Sequence, residues 1–296
     1  MIMRWPLHPA LIDGECLTSW LQRIGICYGL GINDLLKHAL GFPYPNKYWL
    51  DVKPPQKLLE KLAKRTGVRI ERIRQTSVVG LMPFLFACFD TNYFRENSVL
   101  FAPAQHLRPT FVDMGNWIRL RKPEKNRLNA CRACLNNYPN ASILLPWRLT
   151  LMLSCPSHGL MLEQVNIDED SASCINDSAE DAPASIRLVD YRTWKALISG
   201  LVELPGGFVT AERWFLLLRT ICSELNRPLY KPEQQKLFSA IWAAAHNCIR
   251  QTFWNPVEEL HPYRKRSLLL ATAIDLMEKG LIYPHGIHAS LFRSRC

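Results

Sequence analysis

Two short pairs of metal-ligand residues constrain this chain more than any other feature. Cys131-Arg132-Ala133-Cys134 is followed, after 20 residues, by Cys155-Pro156-Ser157-His158. In this C-x2-C-x20-C-x2-H pattern each pair fits one tight knuckle. Two facing knuckles offer three thiolates and one imidazole to a tetrahedral Zn²⁺. Thiolates need the metal to stay deprotonated, so metal binding and local folding go together. Four protein ligands leave no open position for water, and the spacing therefore predicts one structural zinc, not a catalytic one. Gly159, directly after the last ligand, suits a tight turn. Trp147 and Leu149 lie between the pairs and are expected to pack beside the metal.

The other cysteines lack such spacing. Cys16, Cys27, Cys88, Cys222 and Cys248 sit in apolar settings and read as buried small hydrophobes. The opening Met1-Ile2-Met3-Arg4-Trp5-Pro6 lacks the apolar region and small-residue cleavage site of a secretory leader. The longest mostly apolar run, Val78 to Phe89, is about 12 residues and too short to span a bilayer. The expectation is a cytoplasmic protein with reduced or metal-bound thiols and no membrane partner.

Charge is uneven along the chain. The net charge is +10, yet residues 1–158 carry 21 Lys/Arg against 10 Asp/Glu, and residues 159–296 carry 15 against 16. A polyanion-binding surface, if present, is expected in the first half.

The expected architecture is mainly α with a small zinc ribbon. Residues 1–128 read as an N-terminal helical domain, 129–162 as the ribbon, 163–187 as a solvated acidic linker and 188–296 as a C-terminal helical domain, wholly helical over 188–290. The first helix runs from about Glu15 to Tyr28, since Leu17, Trp20, Leu21 and Ile24 recur at helical spacing. A second covers Ile32 to Leu40, with Asn33 as one candidate cap. Residues 57–76 have helix-turn-helix spacing: Leu58, Leu59 and Leu62 form an apolar face, Ala63 permits close approach, Gly67 permits the turn and Ile73 locks the second helix. Later helices are expected near 190–201, 210–226, 233–253 and 264–280, with Thr210 as a cap.

Two basic groups are candidates for nucleic-acid contact. Lys61, Lys64, Arg65, Arg69, Arg72 and Arg74 lie on the helix-turn-helix, and Arg119, Arg121, Lys122, Lys125 and Arg127 precede the first ligand pair. The first group also reads as the solvated basic face of a structural helical hairpin or as a dimer contact, and the second as a soluble connector. Glu15 reads as a capping or locally pairing residue with Arg23 as the candidate partner. Trp5, in an extended arm, reads either as a partner-docking residue or as a side chain folded back onto the core. Enzyme chemistry is not expected: the chain has no P-loop, no H-E-x-x-H motif and no clear carboxylate triad, so no catalytic residue is assigned.

Arg4-Trp5-Pro6, with Gly14-Glu15-Cys16-Leu17-Thr18-Ser19-Trp20-Leu21-Gln22-Arg23, resembles the opening signature of the TniQ/TnsD family, roughly P-x-P then G-E-S-x-x-S-W-L-x-R. Cys131-Arg132-Ala133-Cys134-Leu135, Trp147-Arg148-Leu149 and Cys155-Pro156-Ser157-His158-Gly159 are similar to that family's zinc segment. The resemblance covers about residues 4–165. Cys16 stands for the usual Ser and Arg132 for the usual Pro, and no second ribbon's ligand set is present in the sequence. The resemblance implies a non-enzymatic adaptor for target-site selection in DNA transposition. Such proteins bind target DNA or a CRISPR RNA-guided complex and recruit an AAA+ ATPase regulator, which brings the transposase; some form homodimers. The competing expectation is a zinc-containing helix-turn-helix transcription regulator.

Overall fold

A computed structural model describes residues 4–43, 50–51, 53–85, 127–136, 141–149, 151–167, 172–174, 180–225, 232–246 and 263–282. The described residues are mostly helical, with two small antiparallel sheets. The chain divides into two compact units.

The first unit contains helices α1 (Leu17–Cys27), α2 (Ile32–Asp34, running on as a π-turn over Leu35–Ala39), α3 (Gln56–Thr66) and α4 (Ile70–Arg74), and the start of α5 (Val78–Leu85). Strand β1 (Arg127–Ala130), the short helix α6 (Arg132–Leu135) and strands β2 (Glu163–Ile167) and β3 (Ala172–Cys174) complete it. Its core gathers Leu17, Trp20, Leu21 and Ile24 from α1 with Leu35, Leu36, Leu58, Leu59, Leu62 and Ile73. This is the apolar stripe expected from the helical spacing.

Helix α1 begins at Cys16, whose side chain makes no cap. Asp51, fully buried, replaces it: one carboxylate oxygen accepts from the Thr18 N–H at 2.7 Å and the other from the Thr18 hydroxyl at 2.6 Å. An acceptor from elsewhere in the chain therefore satisfies a helix-start donor that the family's usual Ser would be suited to take. Asn33 lies inside α2, whose cap position is Gly31.

The expected helix-turn-helix is present. α3 ends at Gly67, which takes φ 76°, and its N–H donates to the Ala63 carbonyl at 2.8 Å. A side chain there would be strained in that left-handed region. α4 is only five residues long, and Val68 lies in the turn before it.

The second unit contains the turn at 151–159 and helices α7 (Ala184–Ser199), α8 (Ala211–Leu225), α9 (Pro232–His246) and α10 (Tyr263–Glu278). Its core includes Ile186, Val189, Ala196 and Leu197 from α7, Trp214, Phe215 and Leu218 from α8, and Leu269, Leu270 and Ile274 from α10. Thr193 accepts a hydrogen bond from the buried Trp214 indole at 3.2 Å. Arg192 on α7 and Glu278 on α10 form an ion pair.

Two sequence expectations change here. The acidic stretch over 163–187 is not wholly a solvated linker. Its start is β2, which pairs with β1 in the register Ala130↔Glu163 and with β3 in the register Val165↔Cys174. Its end belongs to α7, where Ile186 and Val189 already face the core. Residues 188–290 are also not wholly helical. Strands β4 (Leu201–Leu204) and β5 (Gly207–Thr210) form a hairpin between α7 and α8. Val202, Leu204 and Val209 are buried while Leu201, Glu203 and Phe208 are exposed, the alternation of a half-buried hairpin around the Pro205-Gly206 turn. Thr210 caps α8, its hydroxyl accepting from the Arg213 N–H at 3.5 Å. Among the described residues, no helix is long and apolar enough to cross a membrane.

Glu15 is the buried polar centre of the first unit. It accepts from Arg23 Nη1 at 2.7 Å, from the Ser19 hydroxyl at 3.0 Å and from the Ile12 N–H at 3.2 Å. Removing one member of a buried ion pair strands the other, so Glu15→Ala should lower unfolding stability by about 3–5 kcal/mol. The Glu15→Ala/Arg23→Ala double variant should lose less than the sum of the single losses. Urea unfolding of the intact chain measures both, and strict additivity would show that the pair is not coupled.

Candidate metal centre

The first ligand pair sits at the exit of the sheet. β1 ends at Ala130, and Cys131 occupies the cap position of α6. The Leu135 N–H donates to the Cys131 carbonyl at 3.1 Å, closing a single helical turn. Residues three apart on such a turn share a face, which places the Cys131 and Cys134 thiols side by side. The second pair repeats the device. The Gly159 N–H donates to the Cys155 carbonyl at 2.8 Å, and His158 falls three residues after Cys155 on the same turn. Gly159 closes it at φ 68°.

The ligand atoms of Cys131, Cys134, Cys155 and His158 all lie within 4.8 Å of one another. Cys155 Sγ and His158 Nδ1 are 3.6 Å apart. A tetrahedral Zn²⁺, with bonds of about 2.3 Å to sulfur and about 2.1 Å to nitrogen, would separate such a pair by roughly that distance. Cys131 and Cys155 are buried, Cys134 is half-buried and His158 is exposed. None of the three cysteines is in a disulfide. The cluster can hold a metal ion, and its donor set fits zinc.

Arg132, where the family commonly has Pro, reaches Glu163 on the neighbouring strand at 3.5 Å. Trp147 and Leu149 are buried, Trp147 within the 3₁₀ turn Leu145–Arg148. The segment between the ligand pairs is stitched to α1 in both directions. Cys16 N–H donates to the Ile143 carbonyl at 2.9 Å, Ile143 N–H donates to the Ser19 hydroxyl at 3.0 Å, and Leu145 N–H donates to the Gly14 carbonyl at 2.7 Å. Glu15, at the centre of this seam, has its pKa raised by burial against the opposing effect of Arg23 and the other donors. Its expected pairing with Arg23 is observed, and its setting is that of a structural group.

Sequence reasoning missed one acidic residue near the second pair. Asp190 on α7 is buried, and its Oδ2 accepts from the N–H groups of Leu153 and Ser154 at 3.0 and 2.6 Å and from the Ser154 hydroxyl at 2.7 Å. Burial pushes its carboxyl up to about 7, with those three donors pulling the other way. The signal available in the sequence was an acidic residue inside the apolar repeat of Ile186, Val189, Thr193 and Leu197.

The basic candidates are placed as follows. Lys61 donates to the Leu40 carbonyl at 2.7 Å and lies over the Phe42 ring at 4.8 Å. Arg72 bridges the Leu11 carbonyl and Asp13, and Arg74 bonds the Gln56 side chain at 2.9 Å. Lys64 and Arg69 are exposed, and Arg65 is half-buried. Arg127 opens β1. Arg119, Arg121, Lys122 and Lys125 lie outside the described residues. Trp5 is half-buried against the core, 6.2 Å from the Tyr28 ring centroid, and its N–H donates to the Arg65 carbonyl at 2.7 Å. The arm is thus tied down, with the Trp5 ring folded back against the core. Cys16 is buried as expected, whereas Cys27, at the exposed end of α1, is not.

Residues 6–162 match the TniQ domain, more than half of the chain. The chain belongs to the TniQ family. The match takes in the Glu15–Arg23 seam and all four candidate ligands. Comparison with curated proteins and with solved structures finds no match. The TniQ domain associates the chain with target selection in transposition.

Cys131→Ser and Cys155→Ser should each abolish stoichiometric metal and lower the melting temperature, whereas Cys27→Ser should change neither. Metal analysis of purified protein and a melt with and without chelator test this. A metal-free wild-type protein whose melt ignores chelator would refute the metal centre.

Proposed function

We propose that this TniQ-family chain is a non-enzymatic adaptor for target-site selection in DNA transposition. It binds target DNA or a CRISPR RNA-guided complex and recruits an AAA+ ATPase regulator, which brings the transposase. The observation that carries the reading is the TniQ domain over residues 6–162, with its signature residues built into one buried seam.

The metal in this reading is a single structural Zn²⁺ held by Cys131, Cys134, Cys155 and His158. Four protein ligands saturate a tetrahedral ion, so it has no position at which to activate water. Its contribution is to hold the ligand-bearing turns, and the chain performs no bond chemistry. Glu15 and Asp190, the buried acids with raised pKa values, are both occupied as hydrogen-bond acceptors within the fold.

Nucleic acid is met by the basic face of α3 and α4. Lys64 and Arg69 are the primary contacts, because they are exposed while Lys61, Arg72 and Arg74 already bond within the protein. Arg65 adds to this surface, and the basic stretch from Arg119 to Arg127 is a second candidate contact by its charge alone. Such contacts are to phosphate and are sequence-independent.

Co-purification with the AAA+ ATPase of the same mobile element, with and without duplex DNA over a salt series, tests the reading. ATPase capture is expected. Sequence-selective DNA binding without ATPase capture would instead favour the transcription regulator. Failure to hold either would move the docking partner to a guide-RNA complex. If α3 and α4 contact phosphates, Lys64→Ala and Arg69→Ala should each reduce the slope of log affinity against log salt by about 1. An unchanged slope in both would remove this helix pair from the interface.

A further inference from the structure

The residues on either side of the second ligand pair are fastened to the start of α7. Before Cys155, the Leu153 and Ser154 N–H groups and the Ser154 hydroxyl all donate to Asp190 Oδ2, at 3.0, 2.6 and 2.7 Å. After His158, the Gly159 carbonyl accepts from the Ala182 N–H at 2.9 Å. A Cβ on Gly159 would stand 3.0 Å from the Arg187 Cδ, so the first turn of α7 covers this end of the knuckle. The turn that carries Cys155 and His158 is thus clasped at both ends by one helix and its lead-in.

Asp190 is the costly part of the clasp. It is 2% exposed and shares the buried face of α7 with Ile186, Val189 and Leu197. Placing a carboxylate there costs several kcal/mol that an apolar side chain would not. What this cost secures is geometric. One acceptor oxygen sets the direction of two successive peptide N–H groups, and those peptides aim the chain into Cys155. Outer groups that orient metal ligands act this way without touching the metal.

We propose that Asp190 is a positioning residue for the metal centre, holding the Cys155–His158 turn in its ligating conformation through Leu153 and Ser154. The inference rests on the metal reading of the four-ligand cluster. It has a reciprocal consequence: if α7 preorganises the knuckle, bound metal stabilises α7 in return.

The test uses the intact chain near neutral pH. Zinc affinity is measured by competition with a chromogenic chelator, and ligand geometry by the visible absorption of the Co²⁺-substituted protein. Asp190→Ala should weaken zinc binding about 10–100-fold and change the Co²⁺ bands. Asp190→Asn should recover part of the loss, since its carbonyl still accepts from both N–H groups. Thr193→Val is the control, because it removes a buried polar contact of the same helix without touching residues 153–154. It should retain wild-type affinity and spectrum. Equal losses in Asp190→Ala and Thr193→Val would reduce the effect to general loosening of α7 and overturn the proposal. Wild-type affinity in Asp190→Ala would overturn it too, leaving the metal centre intact. If wild-type protein binds neither ion, the metal reading fails and this inference fails with it. Should Asp190→Ala not fold, Asp190→Asn decides: weakened affinity supports the proposal, and wild-type affinity overturns it.

Discussion

A carboxylate with no exposed surface, Glu15, organises the N-terminal unit. A charge in that position is tolerable only when its lone pairs are filled. Its donors come from the arm through Ile12 and from α1 through Ser19 and Arg23. Ser19 then accepts from Ile143, and Arg23 also reaches the Ala10 carbonyl and Ser142. Through these bonds one buried acid sets the register between the start of α1 and the segment that joins the two ligand pairs. The Gly-Glu-x-x-x-Ser-Trp-x-x-Arg string resembles a catalytic constellation in its residue types. In this fold it is a seam, and the tryptophan within it is spent on the core, with its indole donating to the Pro9 carbonyl.

What could be read in the sequence was what depends on short spacing. The four ligands are two i, i+3 pairs, and a single turn is enough to bring each pair together. The helix-turn-helix needs only an apolar stripe, a small residue and a glycine. The Glu15–Arg23 pair spans two turns of one helix and its lead-in. By contrast, Asp51 caps α1 from 33 residues away, and Asp190 reaches Ser154 across 36. No local pattern marks an acid as the partner of a distant peptide N–H. The sequence misled in two places. The acid-rich stretch after residue 162 suggested solvation, yet its first residues are paired on both sides as β2. Residues 202–209 fell between the helices expected near 190–201 and 210–226, whereas Leu201 to Thr210 alternates outward and inward as a hairpin does. A two-residue turn between such alternating runs is a hairpin signal, and the helical neighbours on either side obscured it.

The basic excess of the first half requires a distinction between charge and contact. Lys61 and Arg74 spend donors on a carbonyl and a neutral amide, and among the described residues no carboxylate pairs with either charge. Arg72 is different, because Asp13 stands 3.1 Å away and offsets its charge. A polyanion approaching α3 and α4 would therefore feel Lys61 and Arg74 through the field, although their hydrogen bonds point inward. Field strength governs approach, and free donors govern the final contacts. The side chains of Lys64 and Arg69 are exposed and make no hydrogen bond among the described residues, so in the proposed interface they would supply both. The residues that fasten α3 and α4 to the rest of the unit and those left to face a ligand are drawn from the same basic set. Mutating the fastened ones would disturb the fold together with any binding, which makes the exposed pair the informative place to separate the two.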